Sequence, residues 1–209
     1  MTIKVPGNSP DPRYCPKEIS QFREIVYAFY AHHRRDFPWR ENITPYRIIV
    51  SEIMLQQTGV ERVLKKYDTF LARFPGFEDL VRASVKDIME EWQGLGYNRR
   101  VLSLKKLSHA ILEIHSGKVP DAPGALEKLP GIGKATAGAI CAFAFNKPVL
   151  FIETNIRRVF IHHFFEGRSG ISDNELFPLI EAALDRRHSR DWYYALMDYG
   201  TYIATLTGN

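Results

Sequence analysis

Leu129-Pro130-Gly131-Ile132-Gly133-Lys134-Ala135-Thr136-Ala137-Gly138 is the stretch from which the fold is read. A Pro-Gly-x-Gly turn between helical segments presents bare backbone amides. Glycine at Gly131 and Gly133 removes the Cβ atoms that would block the close approach of an anion. The helix that follows begins with its positive dipole end and unpaired N–H groups. Lys134 adds a full charge. Alone, the motif has two readings: a nest for a phosphate, or an ordinary glycine-rich turn between helices.

Outward from that turn, apolar residues recur at helical spacing, as in Phe22, Ile25, Val26, Phe29 and Tyr30, then Val60, Val63, Leu64 and Tyr67. Further helices are predicted near Val85–Trp92, Val101–Ile114, Thr136–Phe145, Ile156–Phe165, Glu175–Leu184 and Trp192–Leu206. No alternating strand pattern appears, so the fold class is all-α. Pro75-Gly76, Gly94-Leu95-Gly96, Gly117, Pro120 and Pro123-Gly124 punctuate the chain at the short intervals of a helical bundle. There is no long linker, internal repeat or low-complexity tract.

The 209 residues can bury a real core, and 45% hydrophobic with 25% charged residues are globular values that argue against disorder. The longest apolar run, Ala137 to Phe145, falls far short of the roughly 20 residues that span a bilayer. Thr2, Lys4, Asn8, Asp11 and Arg13 interrupt any signal-peptide core, and a cytoplasmic protein is expected. Cys15 and Cys141 are far apart and form neither a disulfide framework nor a metal-ligand cluster; both are expected reduced, with Cys141 in a core. A net charge of +4 permits a polyanionic partner without demanding one. Arg34-Arg35, Arg99-Arg100, Lys105-Lys106 and Arg157-Arg158 stand as adjacent pairs, suited either to successive phosphates or to solvated helix faces.

Four motifs in this order carry a resemblance: Phe37-Pro38-Trp39-Arg40, Ser51-Glu52-Ile53-Met54-Leu55-Gln56-Gln57-Thr58, Trp92-Gln93-Gly94-Leu95-Gly96-Tyr97, and the glycine-rich hairpin. Together they resemble the helix-hairpin-helix DNA glycosylase superfamily, with the nearest likeness to its adenine-removing members, from about Phe37 to Ala204. The resemblance implies two helical domains. One is a six-helix domain over residues 41–149 that contains the hairpin; the other is formed by residues 1–40 and 150–209. It implies an active-site cleft between them, across which double-stranded DNA with a mismatched or damaged base binds. It assigns DNA contacts to Leu129, Gly131, Ile132, Gly133, Lys134 and Thr136.

Breaking an N-glycosidic bond needs a better leaving group and a negative charge near the developing oxocarbenium ion, so two carboxylates are the expected equipment. Glu52 and Glu153 are the candidates. Glu52 sits amid Ile48, Ile49, Val50, Ile53, Met54 and Leu55, where burial raises a carboxyl pKa toward proton-donating range. The alternative is a buried structural glutamate paired with an arginine or a backbone amide. Similarity to the adenine enzymes implies that Glu52 protonates the flipped base and activates water. Glu153 stands where the superfamily ordinarily has an aspartate, and its extra methylene moves the carboxylate by about an ångström or more on an unchanged backbone. Either activity or substrate differs in consequence. Glu153, Thr154 or Asn155 also suits a helix N-cap. Asp36 and Asp198 are weaker substitutes, more simply read as surface or helix-pairing acids.

Ala135 holds the place of the Schiff-base lysine in bifunctional relatives, so base removal without strand cleavage is expected; Lys134, about 100° away on the helix, suits a phosphate contact. The family resemblance makes Gln57 and Tyr97 the wedges that fill the stack once a base has been flipped out. Many members carry an iron–sulfur cluster on four cysteines. Ala204 replaces the first of them, so no cluster and no required cofactor are expected; a monovalent cation, Na+ or K+, on hairpin carbonyls near Gly131 and Gly133 is implied by resemblance alone. The resemblance leads to a monomeric, monofunctional glycosylase that removes adenine opposite guanine or 8-oxoguanine. Its rivals are a thymine or uracil glycosylase acting opposite guanine and a non-catalytic binder of damaged DNA.

Overall fold

The computed structural model describes residues 15–207, and among them there are twelve helices and no strand. In chain order these are α1 (Pro16–His33), α2 (Pro38–Glu41), α3 (Pro45–Leu55), α4 (Val60–Arg73), α5 (Phe77–Arg82) and α6 (Val85–Trp92). They continue as α7 (Arg99–His115), α8 (Pro123–Leu126), α9 (Lys134–Phe145), α10 (Thr154–Phe164), α11 (Asp173–Ala183) and α12 (Ser189–Thr207). The N-terminal stretch with Thr2, Lys4, Asn8, Asp11 and Arg13 lies outside the described residues. No helix of the described residues is long and apolar enough to cross a membrane.

The chain divides into two compact units, one of residues Asp36–Phe151 and one that joins the described residues up to Arg35 to those from Ile152 onward. In the contiguous unit α3 is the central element. It packs against α9, α4 and α7, and Ile48, Ile49, Val50, Ser51, Ile53 and Met54 are all buried. A helix buried around most of its circumference has no polar stripe, which is why spacing did not single α3 out whereas α6 has the predicted bounds. Thr44 caps α3, its hydroxyl accepting from Arg47 N at 3.2 Å, and Pro45 occupies the first turn.

In the other unit, α12 lies along α10 and α1. The Phe22 ring meets those of Phe160, Phe164 and Trp192 at 5.0, 5.0 and 5.9 Å. One glycine sets how closely α12 approaches the start of α10. A Cβ on Gly200 would lie 2.5 Å from Asn155 O and 2.6 Å from Asn155 Cβ. In the contiguous unit Gly138 plays the same part toward Phe151, whose Cβ would stand 2.5 Å from an added methyl.

A device recurs at helix C-termini: a cation borrowed from another helix donates into the last carbonyls. Arg23 donates to Ala182 O, Ala183 O and Leu184 O at the end of α11. Lys105 Nζ donates to Leu80 O, Val81 O and Ala83 O at 2.7–2.8 Å, closing α5. Arg100 does the same for α3.

Candidate functional site

The turn from Leu129 to Gly133 joins α8 to α9. Leu129 and Ile132 are buried, and Ile132 N donates to Leu129 O at 3.2 Å, so these two residues anchor the turn in the core. Gly131 has φ +84, and a Cβ there would lie 2.8 Å from Ser103 Cβ; its own chain requires glycine. Gly133 is different. Its backbone is extended, φ −94 and ψ 174, and an added Cβ would meet nothing within 4 Å. No side chain caps α9 and no acidic residue stands in its first turn, while Lys134 and Ala135 are exposed. Open amides, a helix dipole and a lysine make a surface chemically suited to an anion.

Gln56, Gln57 and Thr58 divide three tasks between them. Gln56 Nε2 donates to Gly131 O at 3.2 Å and to Thr136 Oγ1 at 3.3 Å, tying the end of α3 to the hairpin. Thr58 Oγ1 donates to Leu95 O at 3.0 Å, tying it to the glycine-rich loop after α6. Gln57, between them, is exposed with φ 55. Tyr97 is 55% exposed with φ 48. Both sequence-predicted wedges therefore sit in the left-handed region, uncommon for residues with a Cβ. The hairpin and the loops that carry Gln57 and Tyr97 belong to one unit and are joined through Gln56, Thr58 and Arg100. The sequence had pointed to neither Gln56 nor Arg100 as a tie, because neither is a turn former and both look like surface polar residues.

Three of the four adjacent basic pairs separate into a structural and an exposed member, while Arg157 and Arg158 are both half-buried and both hydrogen-bonded. Arg100 is buried and Arg99 exposed; Lys105 is tied to the end of α5 and Lys106 exposed. Arg35 donates to Asp198 through its backbone N at 3.0 Å and its Nε at 2.7 Å, so Asp198 is a helix-pairing acid. Arg157 binds Asp173 and Ile171 O. Neighbours on a helix point about 100° apart, so Arg100 and Lys105 can face the packing while Arg99 and Lys106 face water.

The two candidate carboxylates have unlike settings. Glu52 lies in mid-α3, half-buried, between Ser51 and Ile53, which are fully buried. Glu153 is the N-cap of α10: one carboxylate oxygen accepts from Ile156 N at 2.7 Å and the other from Asn155 Nδ2 at 3.3 Å. Arg158 donates to Asn155 Oδ1 at 2.8 Å and to Gly200 O at 3.2 Å, fixing the amide that faces Glu153. Burial lifts the Glu153 carboxyl above its ordinary value, against the backbone N–H groups of Asn155 and Ile156, the Asn155 amide and the Arg158 charge, which pull it down. The sequence offered Asn155 only as a cap candidate and Arg158 only as one of a basic pair; their support of Glu153, and that of Gly200, depends on contacts between α10 and α12.

Cys141 is buried, its thiol pushed up to about 11 by burial, and Cys15 is exposed; both are free. Among the described residues no group of three or more His, Cys, Asp or Glu is arranged to hold a metal ion.

The chain matches the HhH-GPD superfamily of base excision DNA repair proteins over residues 50–177. It is 34% identical over 184 residues to an adenine DNA glycosylase of Buchnera aphidicola subsp. Baizongia pistaciae, covering 87% of this chain but only 52% of that protein, about half its length. It is 32% identical over 190 residues to a thymine/uracil-DNA glycosylase of Methanothermobacter thermautotrophicus, covering 90% of this chain and 86% of that one. The solved structure of a thermostable thymine-DNA glycosylase superposes with a TM-score of 0.82 at 32% identity, over 88% of this chain and 86% of the other. With that match over residues 50–177 and a relative 32% identical that is covered over 86% of its length, the protein belongs to the HhH-GPD superfamily of base excision DNA repair proteins.

Proposed function

We propose that this chain is a monofunctional DNA glycosylase that flips a mispaired base out of double-stranded DNA and hydrolyses its N-glycosidic bond, adenine opposite guanine or 8-oxoguanine being the substrate. The observation that carries the reading is the single assembly of hairpin, Gln57 and Tyr97 in one unit. Gly133 supports it further: nothing within the chain requires glycine there, which leaves the approach of an outside group, a DNA phosphate, as the reason. The amides of Gly131, Gly133 and the first turn of α9 bind that phosphate, with Lys134 adding charge and Thr136 fixing Gln56. Leu129 and Ile132 contribute by holding the turn.

In the reaction Glu52 donates a proton to the leaving base and activates water, and Glu153 supplies negative charge as the sugar becomes cationic. Gln57 and Tyr97 fill the gap left by the base. Ala135 offers no amine at the place where bifunctional relatives carry one, so no covalent sugar intermediate is drawn and the strand stays intact. The residues present do not fit an iron–sulfur cluster: such a group takes four thiolates, the sequence holds Cys15 and Cys141 in separate units, and Ala204 stands at the first expected ligand. A monovalent cation at the hairpin would share the Gly131 carbonyl with the Gln56 amide. The units correspond in this reading to a hairpin domain over 41–149 and a second domain from 1–40 and 150–209. The protein acts as a monomer in the cytoplasm.

A second reading, removal of thymine or uracil opposite guanine, draws on the relative of which this chain covers 86%. Single-turnover excision on labelled duplexes separates the two. The panel carries adenine opposite guanine or 8-oxoguanine, thymine or uracil opposite guanine, and 8-oxoguanine opposite cytosine, each with and without alkali. Alkali-dependent breaks at adenine are expected. Breaks only at thymine or uracil replace the substrate, alkali-independent breaks overturn the monofunctional reading, and tight binding without product on any duplex makes the protein a binder.

A further inference from the structure

Arg100 spends a buried charge on an unusual set of partners. It is 5% exposed. Its Nη1 donates to Ile53 O at 2.9 Å, Met54 O at 2.7 Å and Gln56 O at 2.5 Å. Its Nη2 donates to Thr58 Oγ1 at 2.8 Å, Leu95 O at 2.9 Å and Gly96 O at 3.0 Å. The guanidinium carbon lies 5.5 Å from the Tyr97 ring centre and 5.4 Å from that of Trp92. Its Nε is buried without a hydrogen-bond partner. No carboxylate of the described residues contributes to its charge balance, and burial depresses its pKa.

An uncompensated buried cation is expensive, and closing a helix does not require it. Lys105 closes α5 and Arg23 closes α11 from half-exposed positions. What distinguishes Arg100 is where its acceptors lie. Gln56 O and Thr58 Oγ1 stand on either side of Gln57, Gly96 O precedes Tyr97, and the Tyr97 ring itself faces the guanidinium. Gln57 and Tyr97 are also the two residues of these loops held at φ 55 and φ 48, a conformation that persists only where the surroundings over-determine it. The planar fork of arginine can meet both loops at once; a lysine, with one nitrogen, cannot.

We propose that Arg100 is the positioning residue for base extrusion, holding Gln57 and Tyr97 as one rigid pair that enters the DNA stack together. This rests on the glycosylase reading above and adds to it a step that depends on duplex structure rather than on bond cleavage.

The test compares the wild-type chain with Arg100→Lys, Arg100→Met and the milder Thr58→Val, which removes one acceptor beside Gln57. Folding is checked by circular dichroism, and the lysine and valine variants carry the experiment should the methionine variant not fold. Each protein meets the same target base in two settings, mispaired within a duplex and unpaired in a bulge, with 2-aminopurine beside the target to report unstacking. The expected result is a loss of roughly tenfold or more in single-turnover excision from the duplex for Arg100→Lys, against about threefold or less from the bulge, as a stacking-scale defect requires. The 2-aminopurine rise is expected to fall in parallel, and Thr58→Val to show the same selectivity in smaller measure. Equal losses on duplex and bulge, or no loss on either, overturn the inference. A wild type that unstacks the target without excising it breaks the glycosylase reading alone, and a fluorescence rise lost in Arg100→Lys then still supports the strut. A rise equal in wild type and variant, or absent from the wild type, overturns it.

Discussion

Arg100 and Glu153 are mirror images. The first is a buried cation at the C-terminal end of α3, surrounded by carbonyl oxygens; the second is a half-buried carboxylate at the N-terminal end of α10, facing N–H groups. Each charge is held mainly by a helix terminus and its peptide dipoles rather than by a direct ion pair. Yet the outcomes differ. Arg100 has six acceptors, whereas Glu153 faces only the N–H groups of Asn155 and Ile156 and the Asn155 amide, and burial pushes its carboxyl above its ordinary value. A charge that must brace a structure is saturated with partners. The carboxylate has fewer partners, and burial disfavours its charged form.

The largest expected effect breaks the cation side. Arg100→Met leaves the end of α3 and the 95–96 carbonyls without donors and should lower unfolding free energy by about 3 kcal/mol or more in urea titrations. A loss under about 1 kcal/mol, the scale of an ordinary surface substitution, would show that solvent replaces those donors readily.

Gly200→Ala comes next, since its Cβ would strike the Asn155 backbone. Overpacking of this kind costs about 1–3 kcal/mol. Because Asn155 faces Glu153, excision should fall more than stability alone explains, read as a reduced single-turnover rate on fully folded protein. An unchanged rate would separate α12 packing from Glu153 orientation.

The hairpin gives the smallest and sharpest contrast. Gly131→Ala should destabilise by about 1 kcal/mol or more through its positive φ and the Ser103 contact. Gly133→Ala should leave the melting temperature nearly unchanged but weaken duplex binding and flatten its salt dependence. Equal binding by both variants would remove the phosphate from Gly133.

Much of this was legible from residue types. Helical spacing and close-set turns foretell an all-α chain, and the Pro-Gly-x-Gly turn marks the hairpin because the left-handed backbone at Gly131 needs glycine. Less legible were α3, whose all-round burial erases periodicity, and the division of labour within basic pairs, since the residue that turns inward is decided by packing partners distant in sequence. Lys105 and Arg100 find their carbonyls only after α5 and α3 have docked on α7. The cap reading of Glu153 was available from Glu-Thr-Asn alone, but its support by Asn155, Arg158 and Gly200 needed α12 in place.

The most direct measurement is made on Glu153→Gln, following thermal stability and single-turnover excision together from pH 4 to 8. The folded carboxyl titrates above its ordinary value of 4.5, so the native state disfavours the charged form. Its contribution to stability is fully present below the unfolded pKa and is lost as pH rises through the folded one. The uncharged glutamine escapes that loss. We predict a variant at least as stable as wild type at neutral pH, matched to it or weaker in acid, that binds duplex but excises slower by about 10²-fold or more, the scale of a lost catalytic charge. A variant that is less stable at neutral pH and still excises at near the wild-type rate would contradict this, and would make Glu153 a helix cap and nothing more.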